Sequence, residues 1–305
     1  MVKLKIEALQ SKEPHVEIVE CKGFGHPDTL SDDLCEKVSK ALAKYYLKNF
    51  KKLFHYNLDK VLIVGGKSSV EFEGGVVEEP VKIFIAGRAT TRVGNVRIPI
   101  DKIVKDTVAE HLRKFKEFNS YEIFVEIKEG AANLKQVEKR IANDTSVGVA
   151  HFPFTKLEDT VFKANEYLNS ERVRRKYLGI GLDTKVMGIR IGDKIKLLVA
   201  IAFISKYVKS MDHYMKLKKD IVNDLQDKFD CIVELNVMDN LSSVKKVYLT
   251  VTGMSCENGD DGQAGRGNRY NGLITPQEVM SIESYAGKNV YHPGKTYQVM
   301  AHNIA

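Results

Sequence analysis

The tetrad Gly25-His26-Pro27-Asp28 sets a histidine and an aspartate on one tight turn just ahead of a helical stretch. Glycine permits the turn, and proline fixes the approach to the helix. A histidine there can donate to an anionic oxygen, and an aspartate can hold Mg²⁺, which takes oxygen ligands. Alone, such a turn is as well read as a helix lead-in with a solvated histidine. A second stretch, Gly259 to Pro276, reads GDDGQAGRGNRYNGLITP, with five glycines between Gly259 and Gly272. Asp260, Asp261, Arg266, Asn268 and Arg269 lie between them. Glycine density brings backbone N–H groups close to a ligand, and arginine forks suit phosphate oxygens. The run is not a Walker A loop, since no Gly-Lys-Ser/Thr closes it, nor a dinucleotide fingerprint, since the third glycine is missing. A phosphate site is the favoured reading over a long surface loop. Further on, Lys288 in Ala286-Gly287-Lys288-Asn289, with His292 and Lys295, could clamp a polyanion. The polar run Ala142 to Ser146, which includes Asp144, is equally an ordinary turn.

These residues need elements to position them. A short strand from Val16 to Val19 leads into the first turn. Beyond it, Ser31 with Asp32 and Asp33 suits a helix N-terminus. Leu34, Val38, Ala41, Leu42 and Tyr45 then recur at helical spacing to Phe50. Strands are expected at Val61 to Val64, Val81 to Ala86 and Tyr121 to Ile127, with a helix from Asp101 to Lys116. A helix from Glu158 to Leu168 precedes strands at Lys185 to Ile191 and Lys194 to Ile204, joined as a hairpin at Gly192-Asp193. A helix from Asp212 to Phe229 and strands at Cys231 to Val237 and Lys245 to Val251 follow. Lys295 to Ala305 reads as a helix with Tyr297, Met300, Ala301 and Ile304 on one stripe. It stops without a glycine cap, which predicts further chain beyond it. Helices alternating with hairpin-like strands predict an α+β fold. No linker marks a domain boundary.

The chain's 305 residues are 43% hydrophobic and 29% charged, ordinary for a globular protein. The net charge of +7 suits an anionic partner, a nucleic acid or a polyphosphate metabolite, but charge alone is better read as surface lysines that keep the protein soluble. No basic stripe interleaved with aromatics appears, which argues against nucleic acid. Cys21, Cys35, Cys231 and Cys256 are widely spaced, so neither a zinc site nor a dense disulfide framework is expected. The most apolar stretch, Leu197 to Ile204, is too short to cross a membrane. Reduced thiols and the polar start predict a cytoplasmic protein.

Taken in order, the segments resemble the archaeal-type S-adenosylmethionine synthetases. The matching pieces are GHPD at His26, HYNLDKVLIVGG from His55, AGRAT from Ala86, ANDTSVGV from Ala142 and VMGIR from Val186. VTGMS, the run through GDDGQAGRGNRYNGLITP, and GKN at Lys288 complete them. The resemblance spans essentially the whole chain. It implies interleaved, similar α+β domains covering 1–305, the third incomplete at the C-terminus. It also implies transfer of the adenosyl group of ATP to L-methionine, with Mg²⁺ and often K⁺, in sites shared by a homodimer or a dimer of dimers. Carried over by residue, His26 contacts the leaving polyphosphate and Asp28 binds Mg²⁺. Asp144 helps hold methionine, and Lys194 sits near the phosphates. Asp261, Arg266, Asn268 and Arg269 bind nucleotide and phosphate. Lys288 neutralises the triphosphate, with Lys295 beside it.

Three departures qualify the match. The family continues beyond Ala305. Glu129 and Asn133 stand where the family has glutamine and aspartate, on the methionine side. The interval from Lys288 to Lys295 is one residue shorter. The nucleotide side is therefore matched more fully than the acceptor side. Two alternatives stay open: a divergent enzyme using another thioether or acting as a tripolyphosphatase, and a non-catalytic nucleotide-binding partner subunit.

Overall fold

The structure, a computed structural model, describes residues 14–131, 147–266, 270–278 and 285–305. In chain order its elements begin β1 (Val16–Lys22), α1 (Pro27–Phe50), β2 (Tyr56–Val64), β3 (Lys67–Glu71), β4 (Gly74–Glu79) and β5 (Val81–Ala89). Next come β6 (Arg92–Val93), β7 (Val96–Arg97), α2 (Ile100–Leu112), β8 (Tyr121–Glu129), α3 (Lys156–Asn169) and α4 (Glu171–Lys176). Then follow β9 (Ile180–Ile191), β10 (Lys194–Ile204), α5 (Met211–Phe229), β11 (Ile232–Leu235), β12 (Leu249–Thr250), β13 (Gly262–Gln263), β14 (Leu273–Ile274) and α6 (Pro293–Ile304).

Two mixed sheets carry the fold, as the α+β expectation requires. The first runs β11-β10-β9-β1-β14, with β12 also on β10. The second runs β13-β2-β5-β8, and its one parallel step, β5 to β8, is bridged by α2. The chain visits both sheets in alternation, so β1 and β14 pair across some 250 residues of sequence. Each sheet has its own core. Leu157, Val161, Ala164 and Leu168 of α3 pack with Tyr214, Ile221 and Leu225 of α5 under the first. Leu30, Leu34, Val38 and Leu42 of α1 form a four-residue stripe, packed with Val104, Val108 and Leu112 of α2 under the second.

Several boundaries differ from the sequence reading. The first helix begins at Pro27, not near Ser31, because His26 caps it through its own ring; Ser31 bonds back to Pro27 O instead (2.8 Å). The strand expected at Lys185 starts at Ile180, and that expected at Val61 starts at Tyr56. The strands read at 231–237 and 245–251 shrink to β11 and β12, since Val244–Lys246 forms a 3₁₀ turn. The β9–β10 hairpin turns at Gly192 (φ 56°) as expected, with Ile189 opposite Lys196. On α6 the buried side chain is Gln298, which accepts from Val149 N (3.2 Å) and donates to Val149 O (2.9 Å), while Tyr297, Met300 and Ile304 stay exposed.

The loop behind the glycine-rich run is organised by one buried carboxylate. Glu257 accepts from Ser68 Oγ (2.9 Å), Val251 N (2.6 Å) and Thr252 N (2.5 Å). Removing it strands buried donors. Glu257→Ala should therefore cost about 3 kcal/mol of stability, read from the urea midpoint.

Candidate active site

The turn before α1 is held against β9 by its backbone. Gly23 N donates to Thr184 O (2.7 Å) and Gly25 N to Leu182 O (2.8 Å). A Cβ on Gly25 would lie 2.7 Å from Asp183 N, so only glycine fits there. His26 then caps the helix: its Nδ1 accepts from Asp28 N at 3.2 Å. With that lone pair engaged, the neutral ring carries its proton on Nε2 and presents a donor. Burial, followed by the nearby Lys22 ammonium, drives the imidazole pKa down to about 4, with Lys185 adding to the fall and Asp28 and Asp260 opposing it. The ring is thus uncharged near neutrality.

Asp28 is buried beside it, with Oδ2 on Lys22 Nζ (2.9 Å) and Oδ1 accepting from Gln263 N (3.0 Å). The glycine-rich run straps over this helix end. Gly265 N donates to Asp32 Oδ1 (2.8 Å), and Lys22 Nζ donates to Arg266 O (3.3 Å). A Cβ on Gly262 would sit 2.3 Å from the Pro27 backbone, so the glycine sets how closely the strap lies. Arg266 is exposed on that strap, and its backbone carbonyl lies against Lys22.

Sequence reasoning missed three further members, Lys22, Lys185 and Asp183, and gave Asp260 no role beyond its place in the glycine-rich run. Lys22 and Lys185 face each other in the β1–β9 register and supply the cations felt by His26. Asp183, 2% exposed, accepts from Ser255 N (2.7 Å); burial pushes its carboxyl up to about 7 despite that bond. Asp260 is held by Ser255 Oγ (2.7 Å) on the side of His26. A signal existed for Lys185, the first residue of the strand read at Lys185 to Ile191. Nothing in sequence singles out a lone lysine or aspartate of that kind.

Two lysines, a neutral histidine donor and carboxylates thus converge at a helix N-terminus, an arrangement fit for a polyphosphate. A cavity of about 290 Å³ opens next to it, but Asp32, Asp33 and Glu166 make its lining too acidic for the phosphates themselves. The model of the S-adenosylmethionine synthetase (AdoMet synthetase) family matches residues 2–305. The chain belongs to the S-adenosylmethionine synthetase family. It is 44% identical over 317 residues to the S-adenosylmethionine synthase of Thermoplasma volcanium, covering 99% of this chain and 79% of that protein. The same enzyme name is carried by relatives from Pyrobaculum neutrophilum (44% identity, 95% of this chain and 77% of the relative) and Picrophilus torridus (44%, 99% and 79%).

Within one subunit of this family member, the residues expected at the site fall into groups. His26 and Asp28 come together, with the backbone of Arg266 against Lys22 beside them. Asp261 lies next to them, but its carboxylate accepts from Gly65 N (2.8 Å) and so anchors the strap to the turn after β2. Lys288 and Lys295 form a second cluster farther along α1. Lys288 is buried against Asp59 (2.9 Å), and Lys295 pairs with Glu36 (2.7 Å). Glu36 lies eight residues past Asp28, about 12 Å along the helix axis. Lys194 is placed at the opposite end of the β9–β10 hairpin, beside Ile191 and nine residues from Leu182, roughly 30 Å away. One chain does not bring it to His26. Glu129, on the expected acceptor side, receives the Thr91 backbone N–H (2.8 Å) and hydroxyl. Asp144, Asn268, Arg269 and Asn133 lie outside the described residues.

His26 should titrate far below an ordinary histidine. The unfolded chain takes up its proton near pH 6.5 and the folded one near 4, so acidification through that window removes stability. In the ligand-free protein, the His26 ring resonances should stay unshifted from pH 8 to about 5.5 in a histidine-labelled NMR titration. A midpoint above pH 6 would refute the buried neutral ring.

Proposed function

We infer that this chain is a methionine adenosyltransferase, joining the adenosyl group of ATP to the sulfur of L-methionine and releasing pyrophosphate and phosphate. The observation that carries this reading is the convergence of His26, Lys22 and Lys185 on one helix N-terminus, with the strap that bears Arg266 lying over it, in a chain of this family. The sulfur lone pair forms the S–C5′ bond as the C5′–O bond breaks, the electrons of the broken bond leave on the tripolyphosphate, and water then hydrolyses that product to pyrophosphate and phosphate. A thioether has no proton to lose, so no general base is needed. What the protein must supply is alignment and stabilisation of the charge gathering on the leaving group. His26 donates without carrying charge, while the two lysines and Arg266 supply the cationic field.

Mg²⁺ fits this donor set as an ion shared with the nucleotide. Among the described residues no three carboxylate, histidine or cysteine groups form a metal cage. Mg²⁺ commonly uses one or two carboxylates and completes its shell with phosphates and water. Asp28 is the residue that would hold it, and the ion would neutralise phosphate oxygens.

The working unit is a homodimer in this reading, with cluster residues from two chains in each site. Two observations support it. Lys288 and Lys295 sit a helix length from the phosphate cradle of their own chain. The face of β2, β5 and β8 turned away from the core presents Leu62 and a stacked Phe84–Phe124 pair (4.7 Å between ring centroids). Among the described residues no helix is long and apolar enough to cross a membrane. Four free cysteines support a reducing, cytoplasmic setting.

Intact protein with ATP, L-methionine and Mg²⁺ should yield the sulfonium product with equimolar pyrophosphate and phosphate. Tripolyphosphate hydrolysis without any sulfonium, across a panel of thioethers, would overturn the transferase. His26→Asn keeps a good helix cap but loses the aimed donor, and should lower kcat by roughly 10²–10³. Mixing inactive H26N with inactive K288M should restore about a quarter of wild-type turnover, because half the dimers are mixed and each has one intact site. No recovery after subunit exchange would reject the shared site.

A further inference from the structure

Asp260 stands at the cradle with one carboxylate oxygen open. The residue is exposed, and its charge is felt by His26. Oδ2 accepts from Ser255 Oγ at 2.7 Å, and among the described residues Oδ1 has no hydrogen-bond partner. Its neighbour Asp261 is already committed to Gly65 N (2.8 Å). The residue before it, Gly259, lies in the left-handed region (φ 82°), where the backbone gives the side chain little restraint. Ser255, by contrast, is firmly seated and only 9% exposed. Its N–H is taken by the buried Asp183 (2.7 Å), and the next carbonyl, of Cys256, accepts from Gly66 N (2.8 Å). Two residues on, Glu257 fixes the same turn through Val251 N and Thr252 N. A rigid turn thus offers one hydroxyl to one loosely tethered acid.

We propose that Ser255 is a positioning residue of the transferase, acting through Asp260 by holding its open oxygen towards the groups that react beside His26. The assignment rests on the transferase reading and adds a residue to it. A hydroxyl has one proton to give. Asp183 is served by the backbone N–H, so the hydroxyl proton goes to Asp260 in a charge-assisted bond. Without that bond an exposed aspartate turns among its rotamers in water. A negative oxygen beside a polyphosphate cradle meets a positive group of the bound substrates or their Mg²⁺, and such a contact depends on where the oxygen stands. A misplacement of about 1 Å can cost on the order of 10²-fold in rate. A serine that merely tied the turn together would leave turnover alone once the protein had folded.

The test is a double-mutant cycle on sulfonium formation from ATP, L-methionine and Mg²⁺, with wild type, Ser255→Ala, Asp260→Ala and the double variant. Single-turnover conditions with enzyme in excess keep the slow variants measurable. Ser255→Ala should lower kcat/KM at least about tenfold, with a urea midpoint close to that of the wild type, because alanine keeps the backbone N–H on Asp183. In the D260A background the same substitution should change turnover by no more than about twofold, since the residue through which Ser255 acts is gone. Should alanine loosen the turn, Ser255→Cys, of similar volume but a weak donor, gives the same cycle. A wild type that forms no sulfonium removes the transferase reading, and this assignment with it. With an active wild type, S255A turnover within about twofold of normal, or the full loss repeated in the D260A background, would overturn the role of Ser255 alone.

Discussion

Asp28 engages both oxygens of its carboxylate, and through them three distant parts of the chain become one surface. Oδ2 holds the ammonium of Lys22 on β1, while Oδ1 holds the backbone of Gln263 on β13, 235 residues later. The carboxylate itself sits in the first turn of α1, where the helix dipole favours negative charge. Without this acceptor the strap would lose its bond at Gln263, and Lys22 would keep only the longer contact to Glu20 (3.7 Å) as counter-charge. The course of the strap at Arg266 and the seating of Lys22 beside His26 both follow from that anchor, while burial does most to keep the imidazole neutral. Gly262 completes it by leaving no side chain between the strap and Pro27.

The same local solution appears twice. His26 caps α1 with φ −61° and ψ 132°, and His292 caps α6 with φ −62° and ψ 126°. In both cases proline follows, and Nδ1 accepts the backbone N–H two residues on, at 3.2 Å and 3.1 Å. Proline at the first helical position forgoes a hydrogen bond that the helix could not use, and the ring replaces one that it could. The His-Pro pair is therefore a helix-starting device. What sets the first one apart is its surroundings, two lysines and a buried aspartate, rather than the pair itself.

This explains which parts of the molecule could be read from sequence. Glycine and proline punctuation made the GHPD turn and the strap visible, and helical periodicity gave α1, α2, α3 and α5. Lys22, Asp183 and Lys185 were hidden because their role arises from the antiparallel pairing of β1 with β9, which no local pattern encodes. Lys194, named through the resemblance, lies at the end of the hairpin away from His26 in its own chain; the pattern announces a turn without saying which end of the sheet meets the helix. Lys288 and Lys295 were legible as cations next to a glycine, whereas their burial against Asp59 and Glu36 depends on how α1 packs. Strands β11 and β12 came out shorter than their apolar runs because each pairs only along a few residues of β10. For Glu129 the side chain was noted, but its capture by Thr91 was not foreseeable.

The pairing of β1 with β14 has a bearing on how the protein is made. When the ribosome has released the first hundred residues, α1 can form and cover β2 and β5, yet β1 has neither of its neighbours. Its partners, β9 and β14, are synthesised only after residues 180 and 273 emerge. Long-range closure of this kind is slow, and an unpaired strand edge is an aggregation hazard while it waits. The segment that becomes the floor of the His26 turn is thus among the last to be secured during translation, which makes the nascent N-terminal third a natural client for a chaperone.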